Sequence, residues 1–290
     1  MGELLIGTSG YDYKGWKVSN PQISSFYEKG DALAQYVKHF NYVEINSTFY
    51  KVPSLKSVLA WKNKTPDDFS FVIKVNNCMT QYKKLVEWDV RFPEFYDLMS
   101  NLEGKLKGFL VQLPPSFTNS NKKSKIDGLT PLERVVKAAR FTKEKYDVDV
   151  FVEFRHPTWF CDEVYDALRG LWSIVVVNTG KLAGMTPGFS PPISDFPKAL
   201  TVEDTIMFRN HGTWTHQEYC GGYSDDELVT MMMLFQEKTI VSFDNTDSFL
   251  YQSPFQLIPG KMMFARELCT INKFLPHAIS DAKRLIELNN

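Results

Sequence analysis

Residues 42–50 read Tyr42-Val43-Glu44-Ile45-Asn46-Ser47-Thr48-Phe49-Tyr50, an apolar run that ends in a cluster of polar residues. The run predicts a short buried strand of a parallel sheet, since such strands are apolar on both faces. Period-two alternation places Glu44 and Asn46 on the same face, where the strand ends. The same arrangement recurs along the chain. The eight predicted strands are 4–8, 42–46, 70–75, 108–113, 149–154, 173–178, 205–209 and 239–244.

Helix signals lie between the predicted strands. Thr130 with Glu133, and Ser224 with Glu227, form two capping boxes. Apolar residues at helical spacing predict further helices within 33–40, 55–59, 162–169 and 272–288. Eight alternations of strand and helix in 290 residues predict an α/β fold, a single (β/α)8 TIM barrel that forms one domain over residues 1–290. A long loop rich in proline and glycine is predicted at 179–203, after the sixth strand.

An open, doubly wound sheet is the alternative fold for this alternation. Such sheets usually begin with a glycine-rich phosphate loop, and Gly7-Thr8-Ser9-Gly10 lacks the Gly-x-Gly-x-x-Gly spacing. The backbone N–H groups of that turn are instead candidate donors to an anion in the barrel mouth.

Composition and charge exclude several classes of protein. With 33 basic and 34 acidic residues the net charge is -1, so no global field draws the chain to nucleic acid or to a membrane. No apolar run is long enough to span a bilayer, and the first residues lack a signal-peptide pattern. The four cysteines form no Cys-x-x-Cys pair, which argues against a disulfide scaffold and a structural zinc site. We therefore expect a cytoplasmic protein with no membrane partner, and the sequence leaves its oligomeric state open.

Polar side chains stand where the predicted strands end, which is where barrel enzymes carry their chemistry. These side chains are Glu44, Asn46, Lys74, Gln112, Glu153, Arg155, Asn178, Arg209, His211, Asp244 and Asn245. Arginine forks and amides recognise the oxygens of phosphates and carboxylates. The pattern therefore predicts an anion site at one mouth of the barrel.

Several segments carry a family resemblance. The segments are Gly7-Thr8-Ser9-Gly10-Tyr11, Glu44 to Tyr50, Gln112-Leu113-Pro114-Pro115-Ser116-Phe117, Glu153-Phe154-Arg155-His156-Pro157-Thr158-Trp159 and His211-Gly212. Together they resemble the signature blocks of the YecE-like family (domain of unknown function 72), which implies a TIM barrel without an established activity. The resemblance implies a site formed by Glu44, Asn46, Lys74, Gln112, Glu153, Arg155, His156, Trp159, Arg209, His211 and Tyr223. The chain departs from the family at Tyr11, where Trp is frequent, and at Phe243-Asp244-Asn245, where a Phe-Asn-Asn type of ending is frequent.

Our leading hypothesis is a barrel that binds a small anionic molecule without a metal or a cofactor. Lys74, Arg155 and Arg209 would hold the anionic end, ringed by the amides, while mouth aromatics such as Trp159 are candidates for stacking a flat ligand. His211 or His156 would carry a proton, with Glu153 orienting it. The reaction, if there is one, would be of lyase, isomerase or hydrolase type. A barrel that binds without catalysing, or a purely structural lid of salt bridges, stays open.

Three other chemistries compete for the same residues. A catalytic metal would need ligands from Glu44, Glu153, His156, His211, His216 and Asp244. The three nearby cations oppose a divalent ion, so we expect no metal. A glycosidase pair of Glu44 and Glu153 would need one carboxyl group of raised pKa, and the same cations disfavour it. A Schiff base on Lys74 would need a depressed pKa, which we expect the nearby carboxylates to oppose.

A nucleic-acid-binding or DNA-repair barrel is the alternative function. The chain is distantly similar to the endonuclease IV and xylose isomerase group, which is an analogy of fold. In such a protein the mouth would grip phosphates and an aromatic side chain would hold an extruded base. The net charge of -1 counts against this, because duplex-binding proteins normally present a basic face.

Overall fold

The computed structural model describes residues 2–17, 26–120, 126–178, 190–213, 221–244, 248–251, 271–275 and 277–289. One parallel sheet runs through most of them. Its strands are β1 (Glu3–Ser9), β2 (Tyr42–Ile45), β3 (Ser70–Lys74), β4 (Leu106–Gln112), β5 (Val150–Glu153), β6 (Ser173–Ile174), β7 (Val176–Asn178), β8 (Thr205–Asn210) and β9 (Lys238–Phe243). They follow the order β6-β5-β4-β3-β2-β1-β9-β8-β7, and every paired neighbour is parallel. This is an α/β TIM-like barrel, as the sequence predicts.

The sheet has nine strands and not the predicted eight, because the sixth predicted strand is interrupted at Val175. The part before the break pairs with β5, and the Val175 N–H still donates to the Val152 carbonyl oxygen. The part after the break pairs with β8. In a barrel the strands are tilted and staggered, so the two halves of a short strand meet different neighbours. Since β6 and β7 are separated by one residue, the break leaves a nearly closed ring.

Helices follow most of the strands. They are α1 (Ala32–Tyr36), α2 (Ser47–Tyr50), α3 (Leu55–Asn63), α4 (Trp88–Met99), α5 (Pro131–Tyr146), α6 (Asp162–Leu168), α7 (Phe196–Ala199), α8 (Asp225–Met232) and α9 (His277–Asn289). Both predicted capping boxes are formed, at the starts of α5 and α8. None of the helices described is long and apolar enough to cross a membrane.

Two predicted segments differ in the structure. The predicted helix at 272–288 begins only at His277, and β11 (Ile271–Leu275) precedes it, paired antiparallel with β10 (Ser248–Tyr251). Pro276 accounts for this, because the residue before a proline is disfavoured in a helix. In the predicted loop 179–203, residues 179–189 lie outside the described part, and the remainder contains a 3-10 turn at Ile193–Asp195 followed by α7.

The core has two parts, one on each side of the sheet. Outside the barrel, apolar side chains of the strands pack against the helices. Inside, one cluster of buried side chains fills the barrel: Leu5, Tyr42, Val72, Leu110, Phe151, Val175, Val177, Met207 and Ile240. We call this cluster the apolar floor. A packed interior of this kind is usual in TIM barrels and confines polar chemistry to the ends of the strands.

Candidate functional site

Polar side chains form a layer directly above the apolar floor. They stand two residues after a floor residue on the same strand, so they point to the same side of the sheet. The inward positions of this layer are occupied by Glu44, Lys74, Gln112, Glu153, Arg209 and Ser242. Because every strand of a parallel barrel runs in one direction, these side chains share the carboxyl end. The structure therefore brings together five of the predicted site residues.

Arg209 is the centre of this layer. Its side chain is fully buried, and it binds Glu44 with two hydrogen bonds, from Nε at 2.9 Å and from Nη2 at 2.8 Å. Its Nη1 donates to Glu153 Oε2, and its Nη2 also lies 3.2 Å from Asp244 Oδ2 and 3.1 Å from Ser9 Oγ. All three guanidinium nitrogens are thus directed at protein acceptors. Arg209 organises the site, and it is not placed to offer its donors to a ligand as we expected.

The charges in this network stabilise each other. Burial alone would lower the pKa of Arg209, but the carboxylates of Glu153 and Glu44 outweigh it and hold that pKa well above its ordinary value. Burial alone would raise the pKa of Glu153, but the charges of Arg155 and Arg209 outweigh it and lower that pKa. Both groups therefore stay ionised at neutral pH. A glycosidase-type acid needs a raised pKa, so Glu153 does not fit that role.

Lys74 lies beside this network and takes no direct part in it. The residue is 9% exposed, and its Nζ lies 4.6 Å from the centroid of the Phe49 ring. Among the described residues, Nζ has no hydrogen-bond acceptor and no ion-pair partner. Burial, and next the charge of Arg209, lower the pKa of Lys74 to about 8, although Glu44 and other carboxylates oppose the change. Our expectation that carboxylates would prevent a depressed pKa was wrong, since Glu44 and Glu153 direct their oxygens to the arginines.

Ser9 and Asn46 complete the network on the side of β1. The Ser9 hydroxyl donates to Glu44 Oε1 and accepts from Asn46 Nδ2 at 2.8 Å. Because that hydroxyl already donates its one hydrogen, the Asn46 amide must present its NH2 group to Ser9. The opposite end of the amide, Oδ1, is buried and has no hydrogen-bond partner among the described residues. Asn46 therefore holds an unsatisfied acceptor at the same end of the barrel as Lys74.

His211 lies on the other side of Arg209. Its Nδ1 is 3.3 Å from Asp244 Oδ2, and its Nε2 lies 3.5 Å from Arg209 Nη1. Its backbone N–H donates to the carbonyl oxygen of Asn178 at 2.8 Å. Burial, and next the charge of Arg209, lower its pKa well below the ordinary value, so the imidazole is neutral at pH 7. The carboxylate beside its ring is thus that of Asp244, whereas Glu153, which we expected to orient a histidine, binds Arg155 and Arg209.

Arg155 and Gln112 form the edge of the site. Arg155 Nε donates to Glu153 Oε1, and its Nη2 lies 3.5 Å from Gln112 Oε1. The Arg155 side chain is 14% exposed, whereas Arg209 has no exposed surface. Arg155 is therefore the arginine of this layer that solvent reaches.

Two other predicted site residues, His156 and Trp159, make contacts that support the local fold. His156 accepts from the Thr158 N–H and lies 2.9 Å from its hydroxyl, which caps the 3-10 turn Pro157–Trp159. Trp159 is fully buried, donates from Nε1 to the Phe117 carbonyl oxygen and stacks on Phe154 at 4.5 Å. The structure therefore does not bring His156 into the polar layer, and Trp159 is not exposed to stack on a ligand.

Asn178 and Tyr223 tie neighbouring strand ends together. The Tyr223 hydroxyl donates to the Asn178 carbonyl oxygen and accepts from the Gly212 N–H, at 2.8 and 2.9 Å. The Asn178 amide donates to Asn210 Oδ1 at 2.8 Å. These bonds fix the ends of β7 and β8, on which His211 depends. The predicted ligand residue Asn245 and the metal candidate His216 lie outside the described residues.

The expected donors at the end of the first strand are also engaged. Gly7, Thr8 and Ser9 belong to β1, and the Thr8 N–H donates to the Tyr36 hydroxyl. The N–H of Gly10, which has a left-handed φ of 87°, donates to the Glu44 carbonyl oxygen. This segment therefore supports β2 and does not form a separate anion-binding turn.

Two residues of the network were missing from our predicted ligand and catalytic sets. Ser9 appeared only in a turn, and Asp244 only among the polar strand ends and as a possible metal ligand. The signal that finds them is the period of two along a strand: Leu5, Gly7 and Ser9 on β1, and Ile240, Ser242 and Asp244 on or after β9. Each series starts at a floor residue and ends in the network.

The donor set does not resemble a metal centre. In the part of the chain that is described, no group of three or more His, Cys, Asp and Glu side chains is arranged to hold a metal ion. Glu44, Glu153 and Asp244 instead surround the Arg209 guanidinium. A fixed cation thus occupies the position between the carboxylates that a metal would need.

A parallel barrel with a buried ionic layer above an apolar floor defines a TIM-like barrel protein with a polar mouth. The chain belongs to the family described as "Protein of unknown function DUF72", whose model matches residues 5–254. This confirms the family resemblance seen in the sequence.

Solved structures of the family share the fold. A DUF72 family protein from Thermotoga maritima matches with a TM-score of 0.62 and 25% identity, over 99% of both chains. Another from Enterococcus faecalis matches with a TM-score of 0.61 and 17% identity, over 100% of this chain and 98% of that one. At that lower identity the likeness shows the fold alone.

Curated relatives match over shorter segments. UPF0759 protein YecE of Escherichia coli K12 is 36% identical over 86 residues, which are 30% of this chain and 32% of that protein. UPF0759 protein YunF of Bacillus subtilis is 27% identical over 141 residues, 46% of each chain. The matched segments thus span about a third to a half of these relatives, whose names state no activity.

Proposed function

We propose that this chain is a single-domain, cytoplasmic barrel protein that binds a small anionic molecule at the carboxyl end of the barrel, without a metal. Lys74 and Arg155 contact the anionic group. His211 exchanges a proton with the bound molecule. The observation that carries the proposal is the buried Lys74 ammonium, which has neither acceptor nor counter-ion among the described residues.

Electrostatics favours an anion beside Lys74. A buried charge is costly unless it is paired, and Lys74 is a buried cation left outside the ion pairs. The cluster holds three cationic side chains (Lys74, Arg155, Arg209) and three carboxylates (Glu44, Glu153, Asp244), so it is close to neutral before a ligand binds. An arriving phosphate or carboxylate would provide the missing partner.

Proton transfer is assigned to His211. A neutral imidazole is able to accept a proton, and Asp244 beside Nδ1 would stabilise the imidazolium that forms. Glu153 is held as a carboxylate by two arginines, so its role is to position Arg155 and Arg209. We do not carry His156 forward as a proton carrier, because its Nδ1 caps the turn Pro157–Trp159 and none of its contacts joins it to the polar layer among the described residues.

Binding of nucleic acid is not part of the proposal. The near-neutral cluster differs from the basic face that duplex binding requires. The named relatives lend no support to that alternative. The cytoplasmic location is supported by Cys78 and Cys161, which are free thiols.

The test is thermal unfolding in inorganic phosphate, with sodium chloride of equal ionic strength as the reference. Phosphate should stabilise the wild type by about 2.7 kcal/mol at a hundredfold excess over Kd. Lys74→Met should lose most of this effect. Lys107→Met is the matched control, because Lys107 pairs with Glu3 at the opposite end of the sheet and its loss should leave the phosphate effect intact. If Lys74→Met keeps the wild-type response, the proposal is wrong.

A further inference from the structure

We propose that the molecule bound at this site carries a carbonyl group, and that Lys74 condenses with that group to form an imine. This inference rests on the anion site proposed above and specifies its ligand as an anionic aldehyde or ketone, such as a 2-oxo acid or a phosphorylated ketone. The argument begins with the geometry of Lys74.

The chain contains a second buried lysine that shows what a structural lysine requires. Lys105 is 7% exposed, and its Nζ donates to the Lys62 and Thr65 carbonyl oxygens at 2.8 and 2.7 Å, and to the Thr65 hydroxyl at 3.2 Å. These acceptors satisfy its three protons. Lys74 is equally buried, yet it faces an aromatic ring and no acceptor among the described residues. The fold thus provides the Lys105 Nζ with three acceptors and provides the Lys74 Nζ with none among the described residues.

Reactivity follows from this placement, because only the neutral amine attacks a carbonyl carbon. With a pKa of about 8, roughly one Lys74 in ten is neutral at pH 7, whereas an ordinary lysine is neutral in fewer than one molecule in a thousand. Burial is the main cause of this lowered pKa, and the positive charge of Arg209 is the second. The carboxylates of Glu44, Asp244 and Glu153 act in the opposite direction. The groups that surround the amine therefore leave it partly neutral.

Asn46 supplies a hydrogen-bond acceptor at the same level of the barrel as Lys74. Ile45 of β2 pairs with Ile73 of β3, so the next residues, Asn46 and Lys74, leave adjacent strands side by side. Asn46 lies two residues after the inward-facing Glu44, and Lys74 lies two residues after the floor residue Val72. The buried Asn46 Oδ1 has no partner among the described residues, and a hydroxyl formed on the ligand would donate to it. The Lys74 amine and the unsatisfied Asn46 acceptor thus lie at the same level of adjacent strands.

The chemical step balances without an oxidant or a reductant. The Lys74 lone pair forms a bond to the carbonyl carbon, and the carbonyl π electrons move to oxygen. One proton passes from the nitrogen to the oxygen through solvent, which gives a carbinolamine whose hydroxyl donates to Asn46. The remaining nitrogen proton passes to that hydroxyl in the same way, the hydroxyl leaves as water, and the carbon–nitrogen double bond forms. Arg155 holds the anionic group throughout.

The test traps the imine by reduction. The protein is incubated separately with glyoxylate, pyruvate and dihydroxyacetone phosphate, each with sodium borohydride, and the mass of the intact protein and of its peptides is measured. We expect at least one of these probes to give a single adduct on Lys74, ahead of Lys105 and of the exposed lysines. Lys74→Arg should abolish the adduct, and Lys107→Arg should not. Excess inorganic phosphate should slow the labelling.

The outcomes separate this inference from the proposed function. If phosphate stabilises the protein through Lys74 but none of the three probes labels Lys74 ahead of the exposed lysines, the imine is overturned and the anion site stands. If phosphate has no effect and no adduct forms, both are overturned. An adduct on Lys74 that phosphate does not slow supports the reactive amine and contradicts the shared anion site.

Discussion

Replacing Arg209 by methionine tests the centre of the ionic layer. The side chain binds three carboxylates, but they depend on it unequally. Glu153 keeps Arg155 as a partner, and the Asp244 side chain is 13% exposed. Glu44 has no exposed side-chain surface and, of its partners among the described residues, would keep only the hydroxyl of Ser9. The cost of the substitution should therefore fall mainly on Glu44.

The expected loss is about 3–5 kcal/mol in the free energy of unfolding, which is the usual cost of leaving one buried charge uncompensated. In thermal unfolding this corresponds to a decrease in Tm on the order of 10 °C. The matched variant is Arg209→Met with Glu44→Gln, in which the buried carboxylate becomes a neutral amide. The double variant should recover about 2 kcal/mol of the loss, because the two side chains are directly coupled.

The measurement is urea unfolding followed by far-UV circular dichroism, with linear extrapolation for the four proteins of the cycle. Arg209→Lys is a useful addition, since it keeps the charge but loses the two-point contact with Glu44. Two results would refute the reasoning: Arg209→Met as stable as the wild type, or a Glu44→Gln substitution that destabilises equally in both backgrounds.

Two further predictions concern Lys74 and Tyr223. Lys74→Met should raise the free energy of unfolding at pH 7, by up to about 3 kcal/mol, because burial penalises the ammonium and lowers its pKa from 10.5 to about 8. The unfolded state then binds more protons between these values, so wild-type stability should rise from pH 8 to pH 10.5 and the variant should lack this rise in urea titrations. Tyr223→Phe should cost about 1–3 kcal/mol in the same assay, because it leaves the Asn178 carbonyl and the Gly212 N–H without their partner. A Tyr223→Phe variant of wild-type stability would show that these bonds do not hold β7 and β8.

The fold could be predicted because its signals are local. A run such as 42–46 shows by itself both that it is buried and which of its residues share a face. Capping boxes at Thr130 and Ser224 mark helix starts within four residues. The break at Val175 could not be predicted, because it depends on how two neighbouring strands are staggered. The start of α9 could have been predicted from Pro276, whose effect on the preceding residue we did not apply.

The residues of the polar layer could also be predicted from the sequence, but the ion pairs that they form could not. Closing a parallel barrel places every inward side chain at the strand ends in one space, so Glu44, Glu153 and Arg209 had to be neighbours. Which cation binds which carboxylate depends on side-chain reach across the barrel, between residues 165 positions apart in the case of Arg209 and Glu44. No sequence period carries that information. Our prediction therefore treated three cations as equivalent, whereas the structure gives each a different environment.

The difference between Arg209 and Lys74 explains why Lys74 has no ionic partner in the described part of the chain, although the site holds three carboxylates. A guanidinium offers five donors in a planar fork, and Arg209 uses this fork to bind Glu44 at two points while also reaching Glu153 and Asp244. An ammonium is a single point charge and competes poorly for such two-point contacts. Because the carboxylates bind the arginine, the Lys74 Nζ faces an aromatic ring, lies near a positive charge and has a lowered pKa. Arg209 thus occupies the carboxylates that would otherwise bind Lys74, and the lysine amine stays available to a ligand.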